Sequence, residues 1–298
     1  MLPNFLVIGA AKAGTTALYR YLSQHPEVFM PSIKEPNYFA LANQEVRFQG
    51  PGDDRTNRSS ITRFADYQAL FDEADGCKAV GEASPMYLYT ADAARRIHDL
   101  IPNVKLIVIL RDPVERAHSA YLHLRRDERE PLANFADAIA AEEERIAKHW
   151  APMWHYTRRG FYFKQLQPYL DVFPREQMLF LRYEDLNRHT VAVCRRVFDF
   201  LGIDTTFEPD TSIRPNASGI PKSRRLHTFL TKNNPVKAAI KPLLPMALRQ
   251  RMAQAVRQKN LSKIAVDASL RHELQNYFKK DIVQLERLTH WDLSAWLR

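Results

Sequence analysis

The stretch FLVIGAAKAGTTALYRYL, Phe5 to Leu22, decides the fold. Its first residues form a short apolar run, rich in β-formers and without helical period, as in a strand buried on both faces. Its last residues repeat apolar side chains at Leu18, Tyr21 and Leu22, one stripe of a helix. Between them lies GAAKAGTT, Gly9 to Thr16. A loop that leads from a buried strand into a helix offers backbone N–H groups and the positive end of the helix dipole, so it favours an anion. We read it as a phosphate cradle.

The spacing matches the nucleoside-triphosphatase loop G-x-x-x-x-G-K-[ST] at Gly9, Gly14 and Thr16, but Thr15 stands at the lysine position and the lysine is Lys12. Enzymes with that loop place the lysine on a β- or γ-phosphate beside Mg²⁺, which a carboxylate at a strand end helps to hold. Here the candidate strand Lys105 to Leu110 ends in Arg111. A guanidinium at that point repels a metal ion and attracts another phosphate. The expectation is metal-free group transfer from a doubly phosphorylated nucleotide, and the alternative is a chance glycine-lysine turn.

Two more apolar runs, Lys78 to Val80 and Met178 to Leu181, share the strand pattern. Helical spacing recurs at Ala93, Ala94, Ile97 and Leu100, at Ala117, Ala120, Tyr121 and Leu124, and again over 161–173 and 191–201. Strand–helix alternation of this kind predicts an α/β fold, a P-loop-type three-layer α/β/α arrangement with a central parallel sheet flanked by helices. Residues 42–63 and 203–225 are polar and read as long surface loops. After Pro235, Pro242 and Pro245 comes a basic helix. A stripe of Leu270, Leu274, Tyr277, Phe278, Ile282 and Leu285 then packs on the body. We expect one domain over 1–298 with a helical C-terminal extension from about residue 235.

With 45% hydrophobic and 26% charged residues in 298, the chain has globular proportions. Its longest apolar runs fall far short of the ~20 residues of a membrane-spanning helix. Met1 to Asn4 carries no basic region and Lys12 cuts the one apolar N-terminal run, so we expect no secretory signal and a cytoplasmic location. Cys77 and Cys194 are too few for a disulfide framework and lack zinc-ligand spacing, which leaves them as reduced core residues. The formal charge of +9 suits anionic partners, though a basic surface also serves solubility.

These residues resemble the sulfotransferases that use 3′-phosphoadenosine 5′-phosphosulfate (PAPS), especially the branch of heparan sulfate and bacterial enzymes. The opening FLVIGAAKAGTTALYRYLSQHPEV is similar to that family's 5′-phosphosulfate loop. LIVILRDPVERAHSAYLH, Leu106 to His123, is similar to its 3′-phosphate motif. Weaker echoes are KEPNYF at 34–39, GEASPMYL at 81–88, RGFYFKQLQPYLDVFP at 159–174, LRYEDL and the closing DLSAW.

The resemblance implies roles residue by residue. Lys12 would sit on the oxygen bridging 5′-phosphate and sulfate, and Ala13, Gly14, Thr15 and Thr16 would bind the 5′-phosphate. Arg111 and Ser119 would hold the 3′-phosphate. Glu35 would be the catalytic base, against the plainer reading of a loop residue paired with Lys34. PKSRRLH at 221–227 resembles the basic loop that closes over the nucleotide, which nominates Lys222, Ser223 and Arg224, although a solvated basic loop reads the same way.

Ala83 stands where glycan enzymes often carry a lysine, and GEASPMYL lacks the histidine of the cytosolic branch. His118 and His123 read as ordinary helix histidines, and Trp150, Trp154, His155 and Tyr156 as core packing more than as a sugar-stacking wall. The implied reaction moves a sulfuryl group from PAPS to an acceptor hydroxyl or amine of a glycan, lipid or small metabolite, leaving 3′-phosphoadenosine 5′-phosphate (PAP), with no metal, nucleic acid or membrane span involved. Acceptor and oligomeric state stay open. A nucleotide-dependent kinase would instead bind ATP with Mg²⁺, and a non-catalytic polyanion-binding module would bind with strong salt dependence and no nucleotide preference.

Overall fold

Strand β1, Phe5–Gly9, is buried along its whole length, which is what an unbroken apolar run requires. The structure, a computed structural model, describes residues 1–212, 219–221, 223, 261–262 and 264–298. From β1 the chain passes through the loop into α1, Thr15–Leu22, whose Leu18, Tyr21 and Leu22 are buried as their spacing predicts. There follow β2, Val28–Phe29, and the short helices α2, Tyr38–Leu41, α3, Asp54–Ser59, and α4, Phe64–Ala69. Strand β3, Ala79–Ala83, leads to α5, Ala93–Leu100. Strand β4, Lys105–Leu110, leads to α6, Pro113–Arg126.

Helices α7, Phe135–Ala140, α8, Glu142–Ala147, and α9, Tyr162–Leu170, precede β5, Met178–Arg182. Helices α10, Tyr183–Arg188, and α11, Thr190–Leu201, follow it. A two-residue antiparallel pair, β6 at Ile220–Pro221 and β7 at Leu261–Ser262, and the long α12, Ala268–Thr289, complete the described elements.

The main sheet has five strands in the order β2-β3-β1-β4-β5, every pairing parallel. β1 sits at the centre, so the loop that leaves it opens at the point where the strand order reverses, the position at which such sheets bind ligands. Leu106, Ile107, Val108, Ile109 and Leu110 of β4 are fully buried beside it. Each such side chain contributes about 1.5–3 kcal/mol by leaving water, so the two central strands form a stiff platform.

Helix α6 is fixed at both ends: Asp112 accepts hydrogen bonds from the N–H groups of Val114 (2.8 Å) and Glu115 (3.3 Å), Pro113 occupies the first turn, and His123, Arg125 and Arg126 face the negative end of the dipole. From α12, buried Asp281 accepts from the N–H groups of Phe163 (3.0 Å) and Lys164 (3.1 Å), which caps α9. Among the described residues no helix is long and apolar enough to cross a membrane.

Several expectations need correction. β3 runs to Ala83 rather than ending at Val80, and β2 adds an edge strand to the four anticipated. The supposed loop 42–63 contains α3, whose six residues are all at least partly solvated, so no apolar stripe marks it. Of the C-terminal stripe, Leu274, Phe278, Ile282 and Leu285 are buried, but Tyr277 is 55% exposed and makes edge contacts with the rings of Phe161 and Phe278. Cys194 is buried, whereas Cys77 is only partly so. The basic helix after Pro245 lies outside the described residues.

Candidate active site

All five strands deliver residues to one cleft of about 610 Å³ at their C-terminal ends. The loop after β1 supplies its floor. Lys12 (φ 69°) and Gly14 (φ 98°) both take the left-handed conformation, and the resulting turn places the start of α1 against the cleft. No side chain caps α1 and no acid lies in its first turn, so the N–H groups that a helix start leaves without intrahelical partners face the cavity that Gly14, Thr15 and Thr16 line. Gly14 is required there: besides its φ, a Cβ would meet Leu186 and Tyr183 at 3.1 Å.

Lys12 is the floor's charge. Burial, reinforced by the nearby Arg126, pulls its ammonium down to about 7, against partial support from Asp127 and Glu35. Among the described residues no carboxylate pairs with it. The site therefore holds a cation in want of an anion.

Arg111 follows β4. Its guanidinium donates to the carbonyl of Lys12 (3.2 Å), lies 4.6 Å from the centroid of the Tyr183 ring and pairs with Glu115 at 3.5 Å. Tyr162 donates to the Arg111 carbonyl (2.8 Å) and fixes the backbone beneath. On α6, Ser119, His123 and Arg126 stand at i, i+4 and i+7, so one helix face is turned to the cleft. Ser119 lines it although only 4% exposed, more enclosed than its position off the apolar stripe suggests.

Glu35 enters from the other side, after β2. It takes a left-handed φ of 62° and forms an ion pair with Lys34, yet its side chain stays 44% exposed. The loop is tied to the sheet: the Asn37 N–H donates to the Ser84 hydroxyl (3.1 Å), which donates to the Glu82 carboxylate (2.8 Å). Glu82 is fully buried, and its carboxyl is pushed up to about 7 by that burial, against the pull of hydroxyl donors including Ser84 and Tyr67. It supports the loop from beneath and does not line the cleft.

The structure thus gathers Lys12, Gly14, Thr15, Thr16, Glu35, Arg111 and Ser119 in one cavity. Ala13 is not among them: it is buried, and its N–H is already given to the Ala10 carbonyl (3.1 Å). Ser223 is exposed, and Lys222 and Arg224 lie outside the described residues. Trp154 and Tyr156 are fully buried, as packing predicts.

Sequence reasoning missed four further cations, Arg55, Arg126, Arg129 and Arg159, as well as the position of His123. His123 accepts from Arg126 at Nδ1 (2.6 Å), stands 3.6 Å from Asp127, and burial drives its pKa down to about 3, which disfavours the imidazolium. Arg129 is held by an ion pair to Asp53, whose carboxylate also accepts from the Ala151 N–H (2.7 Å) and the Trp154 indole (3.0 Å).

A parallel sheet with an uncapped helix start, a half-buried lysine and a strand-end arginine around one cleft is an arrangement suited to binding anions. The sequence profile of the Sulfotransferase family matches residues 3–208, and the chain belongs to that family. It is 33% identical over 202 residues to mouse heparan sulfate glucosamine 3-O-sulfotransferase 3B1, an alignment covering 68% of this chain and 46% of the relative. To mouse bifunctional heparan sulfate N-deacetylase/N-sulfotransferase 4 it is 29% identical over 314 residues, covering all of this chain and 31% of the relative. The chain therefore spans less than half the length of these two curated relatives. The crystal structure of a sulfotransferase from Alicyclobacillus acidocaldarius superposes with a TM-score of 0.79 at 38% identity, each chain covered in full.

Proposed function

We propose that this chain transfers the sulfuryl group of PAPS to an acceptor hydroxyl or amine by in-line displacement at sulfur. The observation that carries the reading is Lys12: a half-buried ammonium lining the cleft, without a carboxylate partner among the described residues, set beside an uncapped helix start and Arg111. The residues fit the nucleotide. The N–H groups of Gly14 to Thr16 suit the 5′-phosphate, and Arg111 with Ser119 suits the 3′-phosphate one strand away. Lys222, Ser223 and Arg224 remain candidates for closing over it. Arg111 stands where a metal-binding carboxylate would be, and the adjacent Asp112 is spent on capping α6, which favours transfer without a metal ion.

Bound PAPS supplies an activated sulfuryl group on a phosphate leaving group. Glu35 takes the acceptor's proton as the acceptor oxygen or nitrogen bonds to sulfur and the bond from sulfur to the bridging phosphate oxygen breaks, and Lys12 with the loop N–H groups stabilises the charge left on the departing phosphate. Two relatives are named for heparan sulfate, so glycans are the first acceptors to test, with lipids and small phenols or amines beside them. Both cysteines are free, and we place the reaction in the cytoplasm. Incubation with labelled PAPS and that panel, scored by mass gain of a sulfuryl group, tests the reading. Mg²⁺-dependent ATP binding, or polyanion binding without nucleotide preference, would replace it.

Glu35→Gln is expected to lower kcat about a hundredfold or more, the range of a lost general base, with the Kd for PAP unchanged. Equal losses in turnover and PAP affinity would make Glu35 a loop support. The lysine gives a second expectation. Free Lys12 is half-protonated at about pH 7, and a bound phosphate raises that value. PAP binding above pH 7 should therefore take up a proton, and affinity should weaken by up to about tenfold per pH unit as pH rises past 7. Calorimetry in buffers of different ionisation enthalpy measures the uptake, and a flat pH profile would contradict it.

A further inference from the structure

Three of the seven cations lining the cleft have no carboxylate partner among the described residues. Lys34, Arg111, Arg126 and Arg129 pair with Glu35, Glu115, Asp127 and Asp53. Lys12 is already assigned to the leaving group, and Arg55 is exposed on α3, where water serves it. The third is Arg159, which is 5% exposed. Among the described residues its guanidinium donates one hydrogen bond, to the Pro85 carbonyl (3.0 Å), and the Tyr89 ring centroid lies 5.4 Å from it. A buried guanidinium with one neutral acceptor is costly unless an anion completes it. Burial and the neighbouring Arg116 pull its pKa down to about 10, in keeping with a charge that lacks an anionic partner.

Its placement is built. The turn Arg158–Gly160 that carries it is held by Glu142, whose carboxylate accepts from the N–H groups of Thr157 (2.7 Å) and Arg158 (2.9 Å) and from the Thr157 hydroxyl (2.8 Å). On the next residue, a Cβ at Gly160 would come within 2.7 Å of the Phe278 ring, so the turn is pressed against α12.

Strand order says which ligand Arg159 meets. Relative to the central loop after β1, Arg111 and Tyr183 follow β4 and β5 on one side, whereas Glu35 and Pro85 follow β2 and β3 on the other. Arg159 is bonded to Pro85 and feels the charge of Glu35. It therefore borders the half of the cleft opposite the nucleotide's second phosphate. We propose that Arg159 binds an anionic group of the acceptor, a carboxylate or sulfate, close to the hydroxyl or amine presented to Glu35. The inference rests on the sulfotransferase reading and narrows the acceptors to acids.

The test uses PAP-loaded full-length protein and two matched probe pairs, a uronic-acid disaccharide and its methyl ester, and 4-hydroxyphenylacetate and its methyl ester, titrated by calorimetry. At least one acid should bind about tenfold or more tighter than its ester, the size of one charge-assisted hydrogen bond. Arg159→Gln should abolish that preference while leaving the Kd for PAP and the ester unchanged, and Arg159→Lys, which keeps the charge, should retain part of it. Matching melting curves and PAP affinities show that the variants fold. If neither acid is preferred, or the preference survives in Arg159→Gln, the proposal is overturned. If Arg159→Gln loses PAP affinity, Arg159 belongs to the nucleotide half. Failure of the wild-type protein to bind PAP would instead strike the sulfotransferase reading itself.

Discussion

Lys12→Ala is expected to reduce kcat by about 10²–10³, the loss produced when one preorganised donor to a developing oxyanion is removed. The reason lies in where the ammonium sits. The left-handed turn at Lys12 and Gly14 brings the lysine over the start of α1, into surroundings so enclosed that its pKa falls to about 7. In that setting a charge acts at far lower effective dielectric than in water, and it is fully expressed only when an anion arrives. The departing phosphate carries more negative charge in the transition state than in the ground state, so the effect should fall on kcat more than on KM for PAPS. Single-turnover sulfuryl transfer measures it, and wild-type rates in Lys12→Ala would remove the lysine from the mechanism.

The second large effect concerns the other phosphate. Arg111→Ala should weaken PAP binding by about 10–100-fold, the worth of a charge-assisted hydrogen bond, while adenosine 5′-phosphosulfate, which lacks the 3′-phosphate, loses little. The comparison is needed because Arg111 has a second job: it donates to the Lys12 carbonyl and stacks on Tyr183, so its removal also loosens the loop. Loosening alone would weaken both ligands equally. Paired titrations separate the two, and equal losses would reassign Arg111 to loop support.

The central architecture was legible because it depends on local patterns. FLVIG and KLIVIL are buried on both faces and carry no helical period, and GAAKAGTT shows by its glycine spacing that the chain turns sharply into a helix. Edge strand β2 escaped because two residues, Val28 and Phe29, are too few to show any period. Tyr277 fitted the stripe of α12 by spacing but stands at its margin and is 55% exposed.

The cleft divides in the same way. Lys12, Gly14, Thr15 and Thr16 are contiguous, and Arg111 follows a recognisable strand, so their meeting was foreseeable. Ser119, His123 and Arg126 were harder, since a polar face at i, i+4 and i+7 reads as solvated unless the wall opposite is known. Arg159 opens the echo RGFYFKQLQPYLDVFP, but nothing in that segment marks it as a residue of the cleft. Its surroundings come from distant segments: Pro85 accepts from its guanidinium, while Glu142 and Phe278 hold the neighbouring residues Arg158 and Gly160 in place. Side chains whose environment is assembled from distant segments are invisible to periodicity.

The most direct measurement is a crystal structure of the protein grown with PAP. The account expects the 5′-phosphate within hydrogen-bond reach of the Lys12 ammonium and the N–H groups of Gly14 to Thr16, with the 3′-phosphate on Arg111 and Ser119. Either phosphate bound elsewhere, with the loop or the Arg111 guanidinium left without a phosphate contact, would contradict it.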